Sequence, residues 1–275
     1  MSAFDKITLR TSQGDTAQVV AYGAHVTSWC TADGVEQLYL SPRSTLQVGA
    51  AIRGGVPIIF PQFSMEGPLP RHGFARTAQW LPEVGRDPAA VAFAWRDDAY
   101  TRSLWPHAFA ARYAVALAPR ELRLTLCIDN TGDQAFTFTS ALHTYFRVSD
   151  IEQVQVEGLG GAPYRDSAGG GVMRTQAESH LRIRAEVDRI YMNAAEFLTL
   201  HDGPQRRLQL HQAGFNDTVV WNPGAQKCGA LKDMPADGYR HMLCIEAARI
   251  GQPITLPSGQ RWCGTQRMQL QVSIP

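Results

Sequence analysis

The sequence predicts an all-β protein, one large antiparallel β-sandwich spanning residues 1–275. Three observations point there. Apolar residues alternate with polar or small ones at period two along much of the chain, and helical periodicity is scarce. The 24 glycines and 16 prolines are spread throughout, as many short strands and turns require. No alternation of strand and helix appears, which excludes a doubly wound parallel sheet.

The strand-like runs follow one another along the chain. Val91, Phe93 and Trp95 alternate with Ala92 and Ala94. Tyr113, Val115 and Leu117 alternate next, then Leu122, Leu124, Leu126 and Ile128. The link Ala118-Pro119-Arg120-Glu121 between these two runs reads as a hairpin turn, because proline presets the φ a turn needs. Phe136 and Phe138 continue the pattern, as do Leu208 and Leu210, Val219 and Trp221, and finally Met268, Leu270, Val272 and Ile274. Gly158 to Gly171 reads as a flexible surface loop, since it lacks the Lys-Ser/Thr that completes a phosphate-binding glycine loop. Nothing in composition or repeat pattern divides the chain.

Hydrophobic residues at 44% and charged residues at 19% suit a globular protein with a sizeable core. With 26 basic and 25 acidic residues the net charge is +1, which argues against a nucleic-acid or membrane partner. Any anion must therefore be held by a local site. The first ten residues lack the apolar stretch of a signal peptide, and no run is long enough to span a membrane, so a cytoplasmic location is expected. Cys30, Cys127, Cys228, Cys244 and Cys263 are odd in number and form no CxxC pair; they read as free thiols in a reducing compartment. A monomer is expected.

Five segments carry polar groups that plain strands do not need. Arg53-Gly54-Gly55 sets an arginine before a turn that could let a ligand approach closely. Arg71-His72-Gly73-Phe74-Ala75-Arg76 concentrates two planar guanidinium forks suited to phosphate oxygens; a solvated basic turn is the plainer reading. His143 interrupts the run Ala141–Phe146, where a structural histidine is common but an imidazole also suits proton transfer near neutral pH. Asp188 beside Tyr191 resembles a sugar-binding acid next to an aromatic ring, whereas Asp217 reads as a turn residue. Glu246 lies within the apolar run Met242–Ala247, a costly position unless its carboxyl reaches a polar cleft. The signatures HExxH, GxSxG, GxGxxG and Walker A are missing, so zinc proteases, serine esterases and nucleotide enzymes lose their usual marks.

Together, RGGVPIIFPQF, RHGFARTAQW, WPHAF, ALHTYFRV, DRIY, FNDTVVWNP and MLCIEAARI, in this order from about Val20 to the C-terminus, resemble the aldose 1-epimerase superfamily, and within it the hexose-6-phosphate mutarotase branch. The resemblance implies a galactose mutarotase-like β-sandwich with its active site in a cleft on one concave sheet. It implies His143 and Glu246 as the catalytic pair and His72 as a second histidine of the site. It also implies Arg53 and Arg76 as phosphate ligands and Asp188 as a sugar contact. Three positions depart from the usual pattern: Gln62 and Gly224 where relatives often carry tryptophan, and Ser64 where they often carry glycine.

The implied reaction exchanges the α and β anomers of a hexose 6-phosphate. Glu246 takes the proton of the anomeric hydroxyl while His143 protonates the ring oxygen, and no metal or cofactor is needed. His143 and Glu246 are expected to face each other across a gap wide enough for a pyranose ring. The alternatives are an epimerase of unphosphorylated sugars, a glycoside hydrolase using Asp188 and Glu246 as paired carboxylates, and a sugar-phosphate-binding module without activity.

Overall fold

The alternating runs form strands in the computed structural model of the protein, which describes residues 3–204 and 206–271. Phe109–Ala118 and Glu121–Asn130 pair antiparallel with Ala118 opposite Glu121. Pro119 and Arg120 make the turn, with Arg120 in the left-handed region at φ 57°. Leu122, Leu124, Leu126 and Ile128 are fully buried, while the residues between them face outward. Each such side chain contributes roughly 1.5–3 kcal/mol by leaving water. Val272 and Ile274, read as the end of the last strand, lie outside the described residues.

Among the described residues the strands form three antiparallel sheets. A nine-stranded sheet runs in the order His180–Arg182, Val154–Glu157, Phe197–Asp202, Arg206–Ala213, Arg261–Leu270, Glu121–Asn130, Phe109–Ala118, Ala90–Arg96, Leu81–Glu83. A second sheet runs Val172–Thr175, Pro163–Asp166, Val187–Tyr191, Asp217–Asn222, Met242–Leu256, Phe136–Leu142, Ile58–Ile59, with Tyr145–Arg147 also paired to Met242–Leu256. Lys6–Arg10, Thr16–Val20 and His25–Cys30 form a small third sheet. The two large sheets share one apolar core, to which Leu124, Leu126, Leu208 and Leu210 come from one side and Leu142, Val220, Leu243 and Ile245 from the other. This is the predicted β-sandwich.

The central strand Met242–Leu256 is apolar on both faces because both are covered. Leu243, Ile245 and Ala247 join the core between the sheets, whereas Met242, Cys244 and Ala248 join clusters on the opposite face. Val219 and Trp221 follow the same rule, pointing away from the main core while Val220 enters it. The bulge between Arg249 and Ile254 in this strand is clamped by Asp217, whose carboxylate accepts the backbone N–H groups of Asn193, Ile250 and Gly251. Asp217 is thus a buried structural residue of this bulge.

Two expectations need correction, that of the Gly158–Gly171 loop and that of the free cysteines. Gly158–Gly171 is not all loop: Pro163–Asp166 is a strand paired on both sides, and its backbone partners, which local composition does not reveal, hold it. Two short helices, Ala99–Leu104 and Gly224–Ala230, interrupt the β pattern; the first is fixed by a reciprocal cap between Asp98 and Thr101. The five cysteines are not all free. Cys127 and Cys263 are directly opposed on neighbouring antiparallel strands, with Cα atoms 4.1 Å apart, and form a disulfide; Cys30, Cys228 and Cys244 are free. A cross-strand neighbour 136 residues away has no trace in cysteine spacing.

Candidate active site

The cleft floor follows from strand register. On the outer face of the second sheet, Ile190 pairs with Val219 and Val219 with Glu246. The pairing of Ala247 with Leu142, extended by one residue, brings His143 opposite Glu246. A parallel row runs Asp188, Trp221, Cys244, Tyr145. Loops supply the walls. Gly54 and Gly55 turn the chain after Arg53; Gly55 has φ 61°, and a Cβ there would lie 2.2 Å from the Val26 carbonyl oxygen. Gly73 has φ 66° and packs on the Phe60 carbonyl, where a Cβ would approach to 2.2 Å. Only glycine fits either position.

All six residues singled out from the sequence, Arg53, His72, Arg76, His143, Asp188 and Glu246, line one cleft of about 240 Å³. A larger cavity of about 410 Å³ near Asn222 and Tyr239 has only exposed or half-buried ionisable groups in its lining. The expected gap between His143 and Glu246 is not there: Nδ1 and Oε1 are 3.3 Å apart. Cross-strand neighbours on one face are held together by the sheet spacing, so the pair shares the floor instead of flanking a sugar.

Burial shapes the pair's protonation. Glu246 is 1% exposed, and desolvation, with the Asp188 charge adding to it, pushes its pKa well above the usual carboxylate value. Desolvation pushes His143 well below the usual imidazole value, with His72, Arg76 and Arg53 reinforcing the shift. Both shifts favour the uncharged forms, a protonated carboxyl beside a neutral imidazole. Glu246 Oε2 is buried without a protein partner, an acceptor directed to a ligand hydroxyl. His143 stacks on Tyr145 with ring centroids 4.8 Å apart and planes 9° apart, which fixes the imidazole plane.

His72 stands at φ 68°, an uncommon conformation for a non-glycine residue, and its Nδ1 accepts the Ser64 backbone N–H at 3.2 Å. That bond leaves the ring proton on Nε2 and makes His72 a neutral donor. Desolvation pushes its pKa down to about 3, helped by Arg76, Arg71 and Arg53. His25, buried beneath the Gly54–Gly55 turn with Nε2 2.8 Å from the Gly54 oxygen, is pushed by burial to about 4. Both histidines stay neutral in the fold but charge in the unfolded chain below about pH 6.5. Their stabilising contribution is complete above that pH and is lost as pH falls through about 4 and then about 3. The three histidines His25, His72 and His143 outnumber the carboxyls of Glu246 and Asp188, whose raised values act the other way, so the melting temperature should fall as pH is lowered from about 6.5 to about 4. An unchanged melting temperature across that window would contradict the burial of these rings.

Charge in the cleft is unevenly compensated. Arg53 Nε is 3.1 Å from Asp233, and its Nη1 donates to the Tyr145 hydroxyl at 3.1 Å. Lys227 is paired with Glu186 at 2.7 Å. Among the described residues Arg71 and Arg76 have no carboxylate partner; the Arg76 guanidinium donates only to the Arg71 carbonyl, at 2.9 Å. Burial pushes the Arg76 pKa down to about 10, with Arg53 and Arg71 contributing, yet it remains charged at neutral pH. The cleft thus offers unneutralised positive charge and, on its floor, a buried carboxyl in contact with an imidazole.

Tyr145, Arg71 and Asp233 also line the cleft and were not singled out as site residues. Tyr145 could have been, as it lies two residues from His143 on the same strand face, and Arg71 opens the basic segment already noted. Asp233, 180 residues from Arg53, gives no local signal. Of the three positions that depart from the resemblance, only Ser64 lines the cleft. Gln62 instead ties its loop to the backbone of Ser64 and Leu69, and Gly224 opens a helix at φ 62°.

A family model described as aldose 1-epimerase matches residues 5–269. A protein of Cenchrus ciliaris named "Putative glucose-6-phosphate 1-epimerase" is 38% identical over 96% of this chain and 84% of its own length. One of the same name from Escherichia coli K12 is 35% identical over 84% of this chain and 79% of its own. The crystal structure of a "putative mutarotase (YeaD)" from Salmonella typhimurium superposes with a TM-score of 0.89 at 28% identity, covering 99% of this chain and 92% of its own.

Proposed function

The chain belongs to the aldose 1-epimerase family, and on that premise we propose that it interconverts the α and β anomers of a hexose 6-phosphate, D-glucose 6-phosphate first among them. One observation carries this reading. A buried carboxyl in contact with an imidazole and two guanidinium groups without carboxylate partners line the same cleft.

Anomer exchange needs a proton removed from the anomeric hydroxyl O1 and one delivered to the ring oxygen O5. Both oxygens are bonded to C1, so a base and an acid in mutual contact reach them better than groups on opposite walls. Glu246 takes the O1 proton at its unpartnered Oε2 while the proton it already holds passes from Oε1 to His143 Nδ1, 3.3 Å away. His143, with Nδ1 turned to Glu246, gives its Nε2 proton to O5. The C1–O5 bond breaks, C1=O1 forms, and rotation about C1–C2 presents the other carbonyl face. Reclosure reverses these transfers and returns the pair to its starting state. One proton enters the pair as another leaves it, so the buried site never changes its total charge.

His72 donates through Nε2 to the sugar, and Asp188 accepts from its hydroxyls. Arg76, with Arg71 and Arg53, holds the phosphate by charge-assisted hydrogen bonds and so fixes the reacting ring over the pair. The chain acts as one domain, as a monomer and without a cofactor in this reading, in the cytoplasm. No helix among the described residues is long and apolar enough to cross a membrane.

Polarimetry on freshly dissolved α-D-glucose 6-phosphate tests the proposal. Enzyme should speed the approach to the anomeric equilibrium without shifting its end point. Binding without acceleration would make the protein a sugar-phosphate-binding module, and release of reducing sugar from glycosides would make it a hydrolase.

A further inference from the structure

We propose that the nine-stranded sheet carries a divalent metal site, separate from the cleft, formed by Glu157, His180 and His201. Strand register builds it. Val154–Glu157 lies between His180–Arg182 and Phe197–Asp202, so Glu157 has a histidine-bearing strand on each side. Glu157 is directly opposite His180, and His201 is the diagonal neighbour, opposite Gln155. Their neighbours Val156, Leu181 and Leu200 point into the core, so all three side chains project from the outer face.

The distances suit a small borderline cation. Glu157 Oε2 lies 2.8 Å from His201 Nε2 and 3.9 Å from His180 Nε2, and the three donor atoms are all within 4.8 Å of one another. A tetrahedral ion with ligands at about 2.0–2.2 Å spaces them about 3.3–3.6 Å apart, a value between the two contacts. Small side-chain movements would therefore complete the site. His180 Nδ1 is 3.0 Å from the Ser179 hydroxyl, and a proton on Nδ1 leaves the Nε2 lone pair for the metal. Two imidazoles and one carboxylate are the donor set of zinc, with remaining positions open to water. Arg207 is close enough to act on the Glu157 charge and moderates the affinity. Bound metal would pin the edge strand His180–Arg182 to its neighbour Val154–Glu157 and, across it, to Phe197–Asp202.

The competing cluster is His143, Cys244 and Glu246, whose donor atoms are also within 4.8 Å of one another. Arg53, Arg71 and Arg76 line the same cleft and oppose a cation there. Titration calorimetry of the full chain, free of any affinity tag, with zinc chloride in a non-chelating buffer distinguishes the two. We expect one saturable site per chain and a rise in melting temperature with zinc. His180→Ala, His201→Ala and Glu157→Gln should each weaken binding at least about tenfold and abolish the rise, with metal-free melting close to wild type. Zinc at the concentration that fills the site should leave anomer exchange unchanged. Wild-type zinc affinity in these variants, no saturable binding, or binding that survives His201→Ala while stopping anomer exchange would overturn the assignment.

Discussion

Glu246→Gln is expected to lower kcat for anomer exchange by about 10²–10⁴-fold, the usual contribution of a positioned acid–base group, and at the same time to raise the melting temperature. Both effects come from one carboxyl group. It is almost wholly buried, its Oε2 has no partner, and its pKa is raised by desolvation and by Asp188. Above about pH 4.5 the unfolded chain releases this proton and the folded chain keeps it, so wild-type stability from this group declines as pH climbs toward the folded pKa. Glutamine has the same shape and no such penalty. The difference in melting temperature, variant minus wild type, should therefore widen as pH rises from about 5. His143→Ala should lose activity on the same scale but gain no stability, because it removes the ring stacked on Tyr145 and leaves a cavity. Near-wild-type exchange in either variant, or a Glu246→Gln protein less stable at high pH than wild type, would contradict the assignment.

Arg76→Ala is expected to lower kcat/KM for hexose 6-phosphate by about one to two orders of magnitude, the equivalent of one charged hydrogen bond. Most of the loss should appear in KM, since the phosphate is bound alike before and during ring opening. Exchange of unphosphorylated glucose should barely change. Arg76 is a cleaner probe than Arg53, because its only side-chain hydrogen bond among the described residues is to the Arg71 carbonyl. Arg53 also bonds Asp233 and Tyr145 and precedes the Gly54–Gly55 turn, so its removal disturbs the cleft wall as well as the charge. Equal losses on glucose and glucose 6-phosphate would make Arg76 structural and leave the phosphate without its proposed ligand.

The alternating runs were legible because strand alternation is a local property: Leu122 to Ile128 announce a buried face within seven residues. Glu246 stood out for the same reason, as a carboxyl in an apolar run signals either a mistake or a site. What depends on register was not legible. Contact between His143 and Glu246 follows from the pairing of Ala247 with Leu142, and the Cys127–Cys263 bond from two strands far apart in sequence. The compensation of Arg53 by Asp233 and the absence of a carboxylate beside Arg76 likewise exist only after folding. Sequence thus identified cationic residues for the phosphate, while the fold distinguished paired cations from unpaired ones.

The central claim is that this cleft exchanges anomers of a phosphorylated hexose by acid–base catalysis. Two-dimensional exchange NMR on one sample containing both glucose and glucose 6-phosphate tests it most directly. The account predicts strong enzyme-dependent cross-peaks between the α and β anomeric signals of glucose 6-phosphate, weak ones for glucose, and neither with Glu246→Gln at the same concentration. Equal acceleration of both sugars, or exchange that persists in Glu246→Gln, would contradict it.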